Sequence, residues 1–191
     1  MRVIAGRLKG RRLAAPAWEG LRPTSEKLRE TLFNILAPRV VGARVLDAYA
    51  GTGAVGIEAL SRGADHVTFV ERDRRALALV AENIAHCGIA DGYVIIRASV
   101  ARAVDDLGAE PFDIMFFDPP YGDEVDEVLA AAGERLAAGG VLVLEHARRR
   151  MSPERLGRLQ RTRSVRSGDS ALTFYVRLQT SDNFVLRTST F

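Results

Sequence analysis

The chain has 191 residues, 47% of them hydrophobic, which suits one domain with a sizeable packed core. Its single cysteine, Cys87, excludes an internal disulfide framework, and three scattered histidines give no metal-ligand spacing, so a reducing, metal-free, cytoplasmic setting is expected. The net charge of +3 hides a segregation, because residues 1–44 carry +7, residues 45–145 carry −11 and residues 146–191 carry +7. Basic ends around an acidic middle suit an anionic macromolecule held by the terminal segments, against the plainer reading of mixed solvated faces.

The opening MRVIAGRLKG alternates apolar and basic residues instead of building a signal-peptide core, and no run approaches the roughly 18 apolar residues of a membrane span. Residues 2–16 read as two short strands around Gly6 and Gly10, a small basic hairpin bearing Arg7, Lys9, Arg11 and Arg12 and too small to bury much. Pro23 and Thr24 predict a helix start, with Leu28, Leu32, Phe33, Ile35 and Leu36 at helical spacing until Pro38. From Arg44, short apolar runs alternate with helical ones: ARVLDAYA, Val55 to Arg62, HVTFVE, Arg74 to His86, YVIIRA, Ala101 to Leu107, FDIMFFD, Val125 to Leu136 and GVLVLEH. Strands without period-two alternation are buried on both faces, so this is an α/β chain with a doubly wound, mostly parallel, Rossmann-like sheet. RTRSVRSGDSALTFYVRLQ adds two strands joined at Gly168-Asp169, an antiparallel C-terminal hairpin that brings the expected sheet to seven strands. The chain divides into a basic hairpin and helix (1–40), the main domain (41–179) and an unassigned tail (180–191).

Ligands of open α/β sheets sit beyond the carboxyl ends of the strands, and three of these ends are acidic here: Asp47, Glu71 and Asp118. The stretch DAYAGTGAVG contains a literal G-x-G-x-x-G, whose Gly51 and Gly53 permit a tight turn and whose Gly56 lets the following helix pack on its strand. Glu71 stands where an acid accepts from ribose hydroxyls, a need shared by NAD and S-adenosylmethionine. Asp47 separates the two, because a carboxylate at the loop mouth repels a pyrophosphate and attracts, directly or through water, the ammonium of a methionine-derived cofactor.

The stretch FFDPPYG delivers Asp118-Pro119-Pro120-Tyr121 to the ligand edge. Two prolines fix a backbone without N–H groups, leaving the Asp118 side chain and the Pro119 carbonyl as acceptors and Tyr121 as a flat face. Two acceptors and a ring suit a planar exocyclic amine, whose hydrogen bonds would aim the nitrogen lone pair at a donor methyl. A proline-rich turn with a capping aspartate is the structural alternative.

These residues resemble the class I S-adenosylmethionine-dependent methyltransferases that act on amino groups, which carry an acidic-start glycine loop, an acid after the second strand and [DNS]-PP-[YFW] after the fourth. RVIAGRLKGRRL, LRPTSEKLRETLFNIL, VLDAYAGTGAVGIEALSRGA and FDIMFFDPPY are similar, more narrowly, to the RsmD-type 16S ribosomal RNA guanine-N2 methyltransferases of bacteria, over roughly residues 1–175. The resemblance implies transfer of a methyl from S-adenosylmethionine to the N2 amine of a guanine in small-subunit ribosomal RNA, naked or within the assembled 30S particle, by a monomer needing neither metal nor membrane. It implies Asp118, Pro119 and Tyr121 as catalytic residues and Asp47, Ala50, Gly51, Gly53, Glu71 and Arg72 around the cofactor. RNA contacts fall to Arg7, Lys9, Arg11, Arg12, Arg22 and Thr24. Ser99 stands where the family usually places an acid near the adenine amine.

Amino methylation of DNA or of protein glutamine shares the D-PP-Y end, and a non-catalytic RNA-binding module shares the fold. NAD-linked oxidation lacks a proton donor among His66, His86 and His146, which together with Cys87 are expected to be structural or merely exposed. Arg148 to Arg150 reads as a solvated charge run.

Overall fold

A computed structural model of the chain describes residues 1–16, 18, 24–120, 122 and 124–178. Helix α1 (Glu26–Val40) precedes the alternating elements β1 (Arg44–Ala48), α2 (Ala54–Ser61), β2 (His66–Glu71), α3 (Arg74–His86), β3 (Tyr93–Arg97), α4 (Val100–Asp106), β4 (Phe112–Phe117), α5 (Asp126–Gly133) and β5 (Leu136–Ala147). Three strands close the fold: β6 (Arg155–Leu156), β7 (Leu159–Ser167) and β8 (Ser170–Arg177). They form one sheet in the order β3-β2-β1-β4-β5-β8-β7-β6, parallel from β3 to β5 and antiparallel beyond.

Successive strand residues point to opposite faces, and both faces are covered, which is why the apolar runs do not alternate with polar residues. Val45, Phe69, Ile114 and Phe116 join a core with α1, α2 and α3, whereas Leu46, Val70, Met115 and Phe117 join a second core with α4 and α5. The strand order reverses between β1 and β4, whose last residues pair as Ala48 with Phe117, so the ligand crevice of the fold opens over these two strand ends.

Several expectations are corrected. The sheet has eight strands, because the two-residue β6 pairs with β7 through Arg155–Gln160 and Leu156–Leu159, and so short an element has no period to read. Helix α1 is capped by Ser25, whose Oγ accepts from Leu28 N at 3.2 Å, one residue after Thr24. It runs through Pro38 to Val40, since the proline removes only its own donor while the buried Val40 anchors the last turn. Helix α5 ends at Gly133, and Leu136 opens β5 opposite Phe112 before a register shift pairs Ile114 with Val141.

The N-terminal segment is a minimal hairpin, with one antiparallel bridge, Arg2 to Arg12, flanked by backbone bonds from Val3 N to Arg11 O at 2.9 Å, Gly10 N to Val3 O at 2.9 Å and Leu13 N to Met1 O at 3.0 Å. Other backbone donors of the segment go to side chains of the sheet-packed helices. Ile4 N and Ala5 N donate to the buried Glu58 carboxylate at 2.7 and 3.0 Å, and Ala14 N donates to Asn83 Oδ1 at 2.7 Å. Val3 and Leu13 are buried in the α1–α3 core, more than so small an arm was expected to bury. Among the described residues no helix is long and apolar enough to cross a membrane.

Candidate active site

After β1 the chain turns back through three residues of positive φ: Tyr49 at 63°, Gly51 at 57° and Gly53 at 74°. Glycine takes this conformation freely, but at Tyr49 it costs on the order of 1–3 kcal/mol, so the surrounding structure must impose it. Ala50 N donates to Val70 O at 2.9 Å and Gly53 N to Ala50 O at 2.7 Å, which fixes the turn from β1 into α2 against β2. Gly56 is needed for close approach, because a Cβ there would stand 2.2 Å from Phe69 Cε1.

Asp47 is 2% exposed, and its Oδ2 accepts from Gly56 N at 2.8 Å. Burial pushes its carboxyl up to about 7, against the Gly56 N–H, which lowers it, and with the Glu71 charge adding a further rise. Glu71 Oε2 accepts from Gly51 N at 3.0 Å and Oε1 from Asp73 N at 2.8 Å, so this side chain ties the glycine loop to the start of α3. Asp73 in turn caps α3, accepting from Arg75 N and Ala76 N.

Asp118 leaves β4 beside this loop, its backbone N 3.4 Å from Ala48 O. Thr24 Oγ1 donates to Asp118 Oδ2 at 3.4 Å. Phe117 pairs with Leu144, so the next residues, Asp118 just past β4 and Glu145 still within β5, stand side by side. Burial, then the Glu145 charge, hold the Asp118 carboxyl well above the usual carboxylate range; the Thr24 hydrogen bond opposes this and Asp47 adds to it. Burial likewise raises Glu145 to about 7, against hydrogen bonds from the Ser170 and Thr24 hydroxyls.

A cavity of about 730 Å³ brings together Thr24, Asp47, Ala50, Gly51, Glu71, Arg72, Asp118 and Pro119 from the sequence-predicted set. Gly53 does not line it; a Cβ there would meet Val80 Cγ1 at 3.1 Å. Ser99 does not line it either: the side chain is exposed and caps α4, accepting from Arg102 N at 3.3 Å. Arg7, Lys9, Arg11 and Arg12 are exposed on the N-terminal arm, outside the cavity lining. Tyr121 and Arg22 lie outside the described residues.

Sequence reasoning missed Trp18, Tyr49, Glu145, Asp169 and Ser170 in the lining. Trp18 lies under the Arg75 guanidinium, 5.0 Å from ring centroid to Cζ. Glu145 is a fourth acidic strand end, and the rule that singled out Asp47, Glu71 and Asp118 also reaches it. A second cavity, about 770 Å³, shares Pro119, Pro120 and Glu145 with the first, so these residues form the wall between the two. His146 is buried in a hydroxyl network, its Nε2 2.8 Å from Thr173 Oγ1 and 3.0 Å from Ser152 Oγ, which is a structural role.

Four buried or partly buried acids around one cavity, Asp47, Glu71, Asp118 and Glu145, make it a poor host for a pyrophosphate and a good one for a cation. The donor set fits a ligand with an ammonium, a sulfonium and a ribose diol, and argues against the dinucleotide alternative.

Residues 1–176 match the family described as conserved hypothetical protein 95. A Bacillus subtilis (strain 168) protein named "Putative rRNA methyltransferase YlbH" is 37% identical over 180 residues, which are 92% of this chain and 98% of that protein. "Ribosomal RNA small subunit methyltransferase D" of Escherichia coli (strain K12) is 41% identical over 121 residues, which span 63% of this chain and 60% of that protein. The solved structure described as "Putative methyltransferase yhhF from Escherichia coli" superposes with a TM-score of 0.81 at 33% identity, covering 93% of this chain and 97% of that one.

Proposed function

The chain belongs to the conserved hypothetical protein 95 family, and from that premise we propose that it is an S-adenosylmethionine-dependent methyltransferase of ribosomal RNA whose acceptor is the exocyclic N2 amine of a small-subunit guanine. The observation that carries this reading is the placement of Asp118-Pro119-Pro120 in the same cavity as Asp47, the Gly51 turn and Glu71. That shared lining supports reading Asp118-Pro119-Pro120 as the end that would hold the amine and the glycine loop as the part that would hold the cation.

Asp47 would face the ammonium of S-adenosylmethionine and Glu71 its ribose hydroxyls, with Ala50, Gly51 and Arg72 along the same wall. When bound, that cofactor supplies an electrophilic methyl on a cationic sulfonium. The chain's own residues do the rest. The Asp118 carboxylate and the Pro119 carbonyl accept the two amine hydrogens, which turns the nitrogen lone pair toward the donor side of the cavity. Methyl transfer would form the nitrogen–carbon bond as the carbon–sulfur bond breaks to leave a neutral thioether, and Asp118 is placed to stabilise the charge that would develop on nitrogen and to take its proton. A cationic ligand favours the ionised form of acids that burial and mutual charge push upward, Asp118 among them. Tyr121 would stack on the base, a role that rests on the D-PP-Y motif.

A base must leave its stack to reach the cavity, which favours splayed nucleotides of loops or assembled particles. Residues 1–40 serve as the RNA-binding extension in this reading, with Arg7, Lys9, Arg11 and Arg12 exposed for phosphate contact. The test is methyl transfer to small-subunit particles from a strain lacking the activity, with the product nucleotide mapped by mass. N2-methylguanine at one position is expected. Transfer to DNA or to a glutamine instead would keep the amine chemistry and overturn the acceptor.

A further inference from the structure

Glu145 is 5% exposed, lies on the wall shared by both cavities, and its Oε2 has no hydrogen-bond partner among the described residues. Burying a carboxylate oxygen without a donor is costly, so a donor brought by a ligand is the natural complement. The register places Glu145 beside Asp118, and the Thr24 hydroxyl, which donates to Asp118 Oδ2 at 3.4 Å, is close enough to influence both carboxyls. A planar group whose amine sits on Asp118 therefore presents its neighbouring ring atom to Glu145.

We propose that Glu145 is a specificity-determining residue that reads the N1–H of guanine while Asp118 holds the adjacent N2 amine. The inference rests on the amine-transfer reading given above. Guanine presents two neighbouring donors on this edge, N1–H and the N2 amine. Adenine and cytosine each place a bare ring nitrogen, an acceptor, next to their amine. Two adjacent carboxyls match the first pattern and leave the second with an acceptor facing an acceptor, and a site built to accept from an N–H discriminates strongly against an analogue lacking it. A carboxyl raised to about 7 by burial is readily converted to the accepting form by such a donor. The D-PP-Y end alone selects an amine; Glu145 selects which base carries it.

The test uses small-subunit particles assembled on ligated RNA with either guanine or 2-aminopurine at the position mapped by the preceding experiment. 2-Aminopurine keeps the N2 amine but has a bare N1. The unaltered enzyme is expected to transfer to guanine at least about tenfold faster than to 2-aminopurine, as a bond to a charged acceptor requires. Glu145→Gln, whose amide can turn its NH2 toward a bare N1, should narrow that ratio about tenfold or more, and Glu145→Asp, with a shorter reach, should narrow it in the same direction. Because 2-aminopurine also lacks O6, the change in ratio between variants is the diagnostic quantity, and a merely structural role would slow both substrates alike. Equal ratios in all three proteins, or equal transfer to both bases by the unaltered enzyme, overturn the proposal. Absence of transfer to guanine by the unaltered enzyme would instead overturn the amine-transfer reading beneath it.

Discussion

Replacing Asp118 by Ala should abolish transfer and, at alkaline pH, stabilise the protein. The carboxyl is held above its ordinary range by burial first, then by Glu145, with Asp47 contributing and the 3.4 Å hydrogen bond from Thr24 opposing. Its folded pKa thus lies above its unfolded one, and between the two the folded state binds more protons. Stability therefore falls as pH rises through this window, and the penalty is complete above the folded pKa. Alanine removes the penalty at pH 8.5 and changes little near pH 3, below the ordinary value of 3.8, where the carboxyl is mostly protonated in both states. The side chain faces a cavity, so little packing goes with it. The melting temperature should rise by about 2–4 °C for each kcal/mol recovered, while transition-state stabilisation of about 2.7–4 kcal/mol disappears, or about 10²–10³-fold in rate. Asp118→Asn, which keeps an acceptor but cannot take a proton, should fall between. Single-turnover transfer, cofactor calorimetry and melting curves at the two pH values are the measurements. Near-normal turnover of the alanine variant, or the same drop in melting temperature at both pH values, would refute the reasoning.

Glu71→Ala should weaken S-adenosylmethionine and its demethylated product alike by about 1.5–3 kcal/mol, seen by calorimetry, and should also lower the melting temperature because Gly51 N and Asp73 N lose their acceptor. Asp47, raised to about 7, should release a proton when a cationic cofactor binds at pH 6.5 but not at pH 8.5. Calorimetry in buffers of different ionisation enthalpy should show one proton fewer for Asp47→Asn, and an unchanged count would remove Asp47 from the ammonium. Replacing Arg7, Lys9, Arg11 and Arg12 together by Ala should weaken RNA binding and cut the slope of log affinity against log salt by about 0.7–0.9 for each phosphate that is no longer neutralised, with cofactor affinity unaltered. An unaltered slope would move RNA binding to the C-terminal arginines.

What could be read from the sequence is what one element carries by itself. The strand runs from Arg44 onward, the turn at Gly51 and Gly53, and the D-PP-Y end are local signals, and the mostly parallel, doubly wound sheet follows once both faces must be covered. What escaped depends on partners distant in the chain. The arm of residues 2–16 closes on itself from Val3 N to Arg11 O and from Leu13 N to Met1 O, as its alternation suggests, but the donors of Ile4, Ala5, Leu8 and Ala14 go to Glu58, Ser61 and Asn83, more than 50 residues away. Pro38 signals a helix end, but the burial of Val40 outweighs it. Ser99 follows a strand and so invites a ligand role; its hydroxyl is spent on capping α4. Glu145 was hidden in GVLVLEH, where a buried β5 gives no sign that the acid at its end borders two cavities.

The charge segregation follows from the same geometry. Parallel strands present all their carboxyl ends along one edge, and β2, β1, β4 and β5 are consecutive in the sheet, so Glu71, Asp47, Asp118 and Glu145 converge there although they are scattered over 99 residues of chain. Such an edge attracts a cationic cofactor and repels phosphate. A polyanion can reach it only if other segments hold the backbone while a single neutral base enters. The arm meets that requirement by chemistry as well as by position: its main-chain N–H groups are fixed on α2 and α3, and its arginine and lysine side chains stay exposed. Loosening the arm by Glu58→Ala together with Asn83→Ala, which removes the acceptors of Ile4 N, Ala5 N and Ala14 N, should therefore reduce transfer far more than RNA affinity, because it leaves the exposed arginines and lysine intact and loosens their register with the acidic edge.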